Sequence, residues 1–244
     1  MWKKKTKQFM SAGSETKQTL HENLAFTAVE QYKLIRANLD FTLPADEKCP
    51  VIGITSAMRG EGKSTTAVNL SYVFAEKGSR VLLIDGDLRR PSIAKKLDID
   101  NTHGLTDLLR GKGARIEDFQ SKRRDNWYVL PSGAIPPNPS ELLGSDRMAN
   151  VLRQLREMFD YIIIDLPPLN LVSDAISVSP LISGMIVVIR EDHTEKKELE
   201  KCLRQLQMAN VRVLGCVMNG VKTGSASKYA RYKYYGNSSR GTGK

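Results

Sequence analysis

The sequence predicts an α/β fold built on a doubly wound, mostly parallel sheet. Six short apolar runs have the length of strands, and helical patterns separate most of them. Most of the runs are apolar at every position, which is typical of strands that helices cover on both faces. A chain of 244 residues is long enough for one such domain with a substantial core. Ligands of these folds bind beyond the carboxyl ends of the strands.

Turn or helix signals bound each predicted element. The predicted strands are Val51–Ser56, Arg80–Asp85, Trp127–Leu130, Tyr161–Asp165, Met185–Ile189 and Val211–Met218. The predicted helices between them are Thr65–Glu76, Leu105–Leu109, Arg147–Phe159 and Thr194–Met208. An amphipathic helix, Phe26–Leu39, precedes this alternation.

The chain is therefore divided into three parts. Residues 1–24 form a basic N-terminal segment, and residues 25–221 form the folded domain with its N-terminal helix. Residues 222–244 are rich in Gly, Ser, Lys and Tyr, a composition that predicts a flexible tail.

The excess positive charge of the sequence lies at its two ends. The formal net charge is +10, from 37 Lys and Arg against 27 Asp and Glu. Residues 1–17 contribute +4 and residues 222–244 contribute +6, so residues 18–221 are neutral. We therefore do not expect the folded domain to carry a basic face of the kind that binds nucleic acid.

Composition also argues against membrane and disulfide-rich proteins. The longest nearly apolar stretch, Leu181–Ile189, is about half as long as a membrane-spanning helix. The first residues have the cationic front of a signal peptide without its apolar run, so we expect a cytoplasmic protein. Cys49, Cys202 and Cys216 are widely spaced in apolar contexts, which favours reduced thiols in the core.

A glycine-rich segment between a strand and a helix carries the strongest chemical signal. Ala57 to Ser64 reads Ala-Met-Arg-Gly-Glu-Gly-Lys-Ser, a P-loop in which Ala replaces the first Gly. The glycines let backbone N–H groups point toward a polyphosphate at the positive end of the next helix. Lys63 should reach the β- and γ-phosphates, and the Ser64 hydroxyl should bind Mg²⁺. The predicted ATP-binding residues of this segment are Arg59, Gly60, Glu61, Gly62, Lys63, Ser64 and Thr65.

Two further strands end in carboxylates. Asp85 ends one apolar strand, Asp87 follows it two residues later, and Asp165 ends another strand. Because parallel strands bring their carboxyl ends to one edge, these side chains should lie beside the P-loop, where carboxylates hold Mg²⁺. The residues leave the role of Asp87 open: it could bind the metal, accept the proton of an incoming hydroxyl, or pair with Arg89 or Arg90.

Together these motifs closely resemble those of the bacterial tyrosine kinases of capsule and exopolysaccharide synthesis, in their cytosolic form. Besides the P-loop, the matching segments are LLIDGDLRRP (Leu82–Pro91), THGLTDLLRGK (Thr102–Lys112), LPSGAIPPNPSELL (Leu130–Leu143) and IIIDLPP (Ile162–Pro168). The resemblance covers about residues 28–236. It implies a P-loop NTPase with the superfold of the partition ATPases, acting as a protein-tyrosine kinase with ATP and Mg²⁺ as cofactors.

The resemblance also implies roles for residues outside the P-loop. Glu30, Lys33 and Arg36 match a charged helix that packs against the neighbouring subunit of a ring, with Lys33 in place of an Arg. Their spacing alone favours a solvated charged face, and the resemblance reverses that preference. Asn219 matches the residue that contacts adenine in this superfold, and a cap of the last strand is the alternative. Met58 stands where partition ATPases carry a signature Lys, which argues against that class.

Four of the eight tyrosines lie in the last 16 residues, at Tyr229, Tyr232, Tyr234 and Tyr235. Aromatic residues mixed with Lys and Arg could form a platform for single-stranded nucleic acid. The resemblance instead implies that the adjacent subunit phosphorylates this cluster.

The implied reaction is transfer of the γ-phosphoryl group of ATP to a tyrosine hydroxyl. Its predicted catalytic residues are Lys63, Asp85 and Asp87, with either aspartate as the base. Ser64, Asp85 and Asp165 are predicted to place the metal. A partition-type P-loop ATPase without tyrosine kinase activity and a non-catalytic basic adaptor stay open as alternatives.

The resemblance implies several partners as well. They are further copies of the chain in a homo-oligomeric ring, a transmembrane chain-length regulator or polysaccharide co-polymerase that activates the kinase, and a protein-tyrosine phosphatase. The regulator would recruit the cytoplasmic kinase to the inner face of the plasma membrane, where it would regulate polymerisation and export of the polysaccharide. No nucleic acid partner is expected.

Overall fold

Six parallel strands form one sheet whose carboxyl edge carries the predicted site. The structure is a computed structural model, and it describes residues 24–111 and 115–221. The strands are β1 (Val51–Ser56), β2 (Val81–Asp85), β3 (Trp127–Leu130), β4 (Tyr161–Asp165), β5 (Gly184–Arg190) and β6 (Val213–Asn219). They lie in the order β3-β2-β4-β1-β5-β6, and every pairing is parallel. The prediction of a doubly wound parallel sheet is confirmed.

Within the described residues, eight helices connect or precede the strands. They are α1 (Phe26–Thr42), α2 (Lys63–Glu76), α3 (Ile93–Leu97), α4 (Leu105–Leu109), α5 (Pro139–Leu143), α6 (Asp146–Arg156), α7 (Asp174–Val178) and α8 (Lys196–Met208). Two 3₁₀ turns lie at Ile116–Phe119 and Ser179–Leu181. The sequence prediction missed α3, α5 and α7, each of five residues, although it located α4, which is equally short.

The alternation of side chains along each strand divides the core into two layers. On β2, Leu82 and Ile84 pack into one layer, together with side chains of α4 to α8. Val81 and Leu83 pack into the other layer, together with α1, α2 and α3. Because helices cover both faces, the inner strands are apolar throughout, as the sequence predicted.

The outer strand β6 is the exception to this burial. It has a single neighbour in the sheet, and Val213 and Met218 on it are exposed. Cys49 and Cys202 are buried, but Cys216 on β6 is exposed, so the prediction of a core thiol is wrong at that position.

Parts of the prediction lie outside the described residues. The tyrosine cluster Tyr229–Tyr235 and most of the basic N-terminal segment are among them. Among the described residues, none of the helices has both the length and the apolar character needed to cross a bilayer.

Arg36 adds a polar contact to the apolar packing that joins α1 to the domain. The Arg36 guanidinium donates a 2.9 Å hydrogen bond from Nη1 to the carbonyl of Val73 in α2. By contrast, Lys33 and Glu30 form an exposed ion pair of 3.0 Å within α1 itself. Of the three residues predicted to contact a neighbouring subunit, Arg36 is therefore engaged inside its own chain.

These different contacts predict different effects on stability. Replacing Arg36 by Ala removes a charged hydrogen bond to a half-buried carbonyl, and should lower the free energy of unfolding by about 1–2 kcal/mol. The matched change Lys33→Ala removes only a surface pair, worth less than about 0.5 kcal/mol. Urea unfolding followed by circular dichroism at one protein concentration would measure both. Equal effects of the two substitutions would contradict this account of α1.

Candidate active site

The P-loop runs from the end of β1 to the start of α2. Gly60 and Gly62 have φ angles of 80° and 98°, in the left-handed region that favours glycine. A Cβ on Gly62 would lie only 1.9 Å from Nδ2 of Asn219, so glycine is also required there for space. No side chain caps the first turn of α2. Its free N–H groups and positive dipole end suit a phosphate group.

Side chains from the β5 and β6 ends hold the carbonyl groups of this loop. Arg190 Nη1 donates to the carbonyl of Gly60 at 3.1 Å, and Asn219 Nδ2 donates to that of Glu61 at 3.1 Å. His193 Nε2 lies 3.2 Å from the carbonyl oxygen of Arg59. With three successive carbonyls engaged, the curled conformation of the loop is formed before any ligand arrives.

The Glu61 side chain braces the loop from within. It is buried, and its Oε2 accepts a 2.9 Å hydrogen bond from the N–H of Met58. Its Oε1 accepts a 2.6 Å bond from the Thr194 hydroxyl, which in turn accepts one from the N–H of Arg190. Glu61 was predicted to bind ATP. Both oxygens of its carboxylate already accept hydrogen bonds within the protein, so only its backbone N–H can bind a phosphate.

Lys63 lies at the centre of the site. Its Nζ is 2.8 Å from Asp87 Oδ2, 3.4 Å from Asp165 Oδ1 and 3.3 Å from the Ser64 hydroxyl. Burial by itself lowers the pKa of Lys63, but the carboxylates of Asp165 and Asp87 outweigh it and raise that pKa above its usual value. The ammonium group therefore stays charged.

Strand register places Asp85 and Asp165 side by side. Asp85 of β2 pairs directly with Asp165 of β4, and both side chains are fully buried. Asp85 Oδ2 accepts 3.0 Å bonds from the N–H groups of Ser92 and Ile93. Burial, followed by the nearby charge of Asp165, raises the pKa of Asp85 to about 7. Burial likewise raises the pKa of Asp165.

The carboxylates of Asp85 and Asp165 each have an oxygen available to bind a metal ion. Asp85 Oδ1 and Asp165 Oδ2 are buried and have no hydrogen-bond partner among the described residues. That part of the chain contains no cluster of three or more His, Cys, Asp or Glu side chains able to hold a metal. Mg²⁺ is commonly held by one or two carboxylates, with phosphates and water completing its shell. The donor set of Asp85, Asp165 and Ser64 fits that ion.

Asp87 is fixed close to Lys63 by the loop that follows β2. Gly86 has no room for a side chain, because a Cβ there would meet the Asp165 carbonyl oxygen at 2.9 Å. Asp87 Oδ1 accepts a 3.1 Å bond from the N–H of Arg90. Its side chain pairs with Lys63, and the suggested ion pair with Arg89 is wrong, since Arg89 binds Asp174.

The remaining predicted residues are distributed around the loop. Arg59 is exposed, and Thr65 is half-buried in the first turn of α2. Asn219 accepts a 2.8 Å bond from the N–H of Gly220 on its Oδ1, and it also donates to the P-loop. Asn219 thus caps β6 and braces the loop, while its contact with adenine stays a prediction.

Sequence reasoning missed the residues that support the site. Arg190 ends β5, His193 and Thr194 follow it, and no motif in the sequence marks them. The buried Asp174 was missed too, although an acidic residue shortly after a strand that ends in Asp165 is a weak signal for the same edge of the sheet.

A P-loop with carboxylates on two neighbouring strands defines a nucleotide-binding protein of the P-loop class. In agreement, residues 49–213 match the family model described as an AAA domain.

Comparison with known proteins identifies the branch of this class. The chain is 41% identical over 207 residues to tyrosine-protein kinase YwqD of Bacillus subtilis (strain 168), covering 85% of this chain and 86% of that protein. It is 34% identical to the putative tyrosine-protein kinase CapB of Staphylococcus aureus, covering 89% and 94% of the two chains. The chain belongs to the bacterial tyrosine kinase family.

Solved structures agree with this assignment. The chimerical protein CapA2B2 superposes with a TM-score of 0.75 at 34% identity, over 80% of this chain and 85% of that chain. The septum site-determining protein MinD of Pyrococcus horikoshii, solved with Mg-ADP, gives a TM-score of 0.58 at 28% identity, over 74% and 76% of the chains. The predicted superfold is therefore confirmed.

The raised pKa of Asp85 predicts how stability depends on pH. In nucleotide-free, metal-free protein, the folded state keeps a proton on Asp85 up to about pH 7, whereas the unfolded chain loses it near pH 4. The free energy of unfolding should therefore fall as the pH rises between these values. Asp85→Asn removes this contribution and should be more stable than wild type at pH 8, by on the order of 1–4 kcal/mol.

Urea unfolding in EDTA at pH 5 and pH 8 would measure the difference between Asp85→Asn and wild type. Asp46→Asn, which removes an exposed carboxylate, is the matched control. A difference that does not change between the two pH values would contradict the protonation of Asp85.

The brace formed by Glu61 predicts an effect on nucleotide affinity. Glu61→Ala leaves the N–H of Met58 without its acceptor, at a cost of about 1–3 kcal/mol, and should weaken ATP binding about 5- to 100-fold. Glu61→Gln keeps one oxygen acceptor and should lose less. Glu195→Ala, an exposed glutamate nearby, is the control. Titration with a fluorescent ATP analogue would measure all three, and unchanged affinity in Glu61→Ala would show that the brace is dispensable.

Proposed function

We propose that this protein transfers the γ-phosphoryl group of ATP to tyrosines in residues 222–244 of a neighbouring copy. The observation that carries the proposal is the position of Lys63 between Asp87 and Asp165, beside the uncapped start of α2. A cationic side chain, free helix N–H groups and carboxylates thus meet at one edge of the sheet. These are the parts that phosphoryl transfer requires.

The residues of the site have separate roles in the proposed reaction. Lys63 and the P-loop amides hold the phosphates of ATP, and this requires Lys63 to turn from Asp87 toward the nucleotide. Asp85, Asp165 and Ser64 would hold Mg²⁺. When bound, the ion neutralises the charge that develops on the phosphate oxygens. The two carboxylate oxygens that have no other partner among the described residues would be among its ligands.

Asp87 is the better placed of the two candidate bases. Both aspartates are buried, and one oxygen of each accepts from backbone amides. The other oxygen of Asp85 would hold Mg²⁺, whereas the other oxygen of Asp87 pairs with Lys63 and is released when Lys63 turns to the phosphates. Asp87 would then accept the proton of the tyrosine hydroxyl. The hydroxyl oxygen forms the new bond to the γ-phosphorus, the bond from that phosphorus to the bridging oxygen breaks, and ADP leaves with the electron pair.

A ring of identical chains supplies the acceptor in this proposal. Glu30 and Lys33 are available on the exposed side of α1, and Arg36 would support them by fixing α1 to its own domain. One relative is named a putative tyrosine-protein kinase in a cps region, which favours a role in making capsular or extracellular polysaccharide. We infer that the kinase acts at the cytoplasmic face of the membrane. We infer a transmembrane regulator that activates and recruits the kinase, and a tyrosine phosphatase that reverses the reaction.

The proposal predicts that Lys63→Met loses phosphorylation of Tyr229, Tyr232, Tyr234 and Tyr235. Loss of a group that stabilises charge in the transition state should reduce the rate about 100-fold or more. Lys77→Met is the matched control, since Lys77 lies at the far end of α2 in an exposed pair with Asp40. Phosphopeptide mapping after incubation with Mg-ATP, with and without the cytosolic segment of the membrane partner, gives the measurement.

Mixing two variants tests whether transfer occurs between subunits. Chains with Lys63→Met provide the acceptor tyrosines, and active chains with all four tail tyrosines changed to Phe provide the enzyme. Phosphate on the Lys63→Met chains is the expected result. ATP hydrolysis by wild type without any phosphotyrosine would instead identify a partition-type ATPase.

A further inference from the structure

Three segments that follow strands β2, β3 and β4 meet at one buried carboxylate. Asp174, at the start of α7, is fully buried. It accepts two hydrogen bonds from Arg89, from Nε at 2.9 Å and from Nη2 at 3.0 Å. The hydroxyl of Ser140 in α5 also donates to Asp174. We call Arg89, Ser140 and Asp174 the polar junction.

The junction is separate from the residues that face the nucleotide in the proposed function. Arg89 lies two residues beyond Asp87 on the same loop, and Ser140 belongs to the PPNPSELL segment, for which the sequence alone predicts no role. Asp174 lies on the segment that follows Asp165. The junction therefore ties the loop of Asp87 to the chain segment that follows the metal-binding strand β4.

The ion pair between Arg89 and Asp174 is better suited to orienting the loop of Asp87 than to stabilising the fold. A fully buried carboxylate costs free energy, and apolar side chains would hold the same segments at no such cost. The planar guanidinium, however, meets a carboxylate in one orientation with two parallel bonds. This contact fixes the angle of the loop as well as its distance from β4. Asp87 is held by the same loop, 2.8 Å from Lys63.

We propose that Arg89, Ser140 and Asp174 are positioning residues, which hold Asp87 in the geometry needed to accept the proton of the tyrosine hydroxyl. This inference rests on the proposed kinase function. It assigns the PPNPSELL segment a role in catalysis through Ser140, with no direct contact to the reacting atoms.

The first test compares Arg89→Ala with Arg90→Ala in the full-length protein. Arg90 is the exposed neighbour, and its side chain makes no hydrogen bond or ion pair with other described residues. A misplaced base should lower kcat for tyrosine phosphorylation about 10- to 100-fold in Arg89→Ala, with the KM for ATP changing less than about 3-fold. Arg89→Lys keeps the charge without the planar fork and should recover only part of kcat. Wild-type kcat in Arg89→Ala would overturn the inference.

The second test separates positioning from folding, because Arg89→Ala leaves a buried charge without its partner. In the double variant Arg89→Met with Asp174→Leu, both charges are removed. We expect its Tm to return toward the wild-type value while kcat stays low. Ser140→Ala keeps the ion pair and should show a smaller loss of kcat at a wild-type Tm.

Recovery of kcat together with Tm in the double variant would show that the junction only supports folding. If wild type itself forms no phosphotyrosine but the ATPase rate of Arg89→Ala equals that of wild type, both proposals fail. If phosphotyrosine forms in wild type and in Arg89→Ala at the same rate, the junction proposal alone fails.

Discussion

Two carboxylates, Asp85 and Asp165, end neighbouring strands at the same level of the sheet, where water does not reach them. Like charges so placed repel, and burial adds a desolvation cost to each. The ammonium group of Lys63 compensates part of this cost from the start of α2, and one oxygen on each carboxylate still has no partner among the described residues. The strand register thus builds a site that is short of positive charge. In the proposed function, a divalent cation bound with the nucleotide would supply that charge.

Polar contacts also organise the loops around the two carboxylates. Segments beyond the carboxyl ends of strands have no ladder of their own, so their backbone groups need other partners. Glu61 supplies one such partner inside the P-loop, and Arg190 and Asn219 supply others from the neighbouring strands β5 and β6. Asp174 joins the loops of β2, β3 and β4 through side chains instead, since it accepts hydrogen bonds from Arg89 and Ser140. These contacts hold in place the loops at the edge of the sheet where the proposed phosphate and metal sites lie.

The sequence predicted the parts of this arrangement that depend on local pattern. Buried strands are continuously apolar, and a P-loop has fixed spacing, so the sheet, Lys63 and Asp85 could be located without a structure. The contacts of Arg89 and Arg36 could not, because each depends on which distant segment the fold brings within reach of a long side chain. Spacing along α1 placed Arg36 beside Glu30 and Lys33, but only packing against α2 decides that its guanidinium turns inward. The exposure of Cys216 could not be predicted either, because an apolar strand has the same sequence pattern at the centre and at the edge of a sheet.

The ion pair between Lys63 and Asp87 sets an order of events in the proposed reaction. Without nucleotide, the 2.8 Å contact neutralises Asp87 and occupies the oxygen that would accept a proton. Polyphosphate carries more negative charge than one carboxylate and is expected to take Lys63 from it. In this order of events, the Asp87 oxygen is free to accept a proton only after ATP is bound. A tyrosine that enters an empty site meets a base already paired with lysine, so the acceptor is activated only when a phosphoryl donor is present.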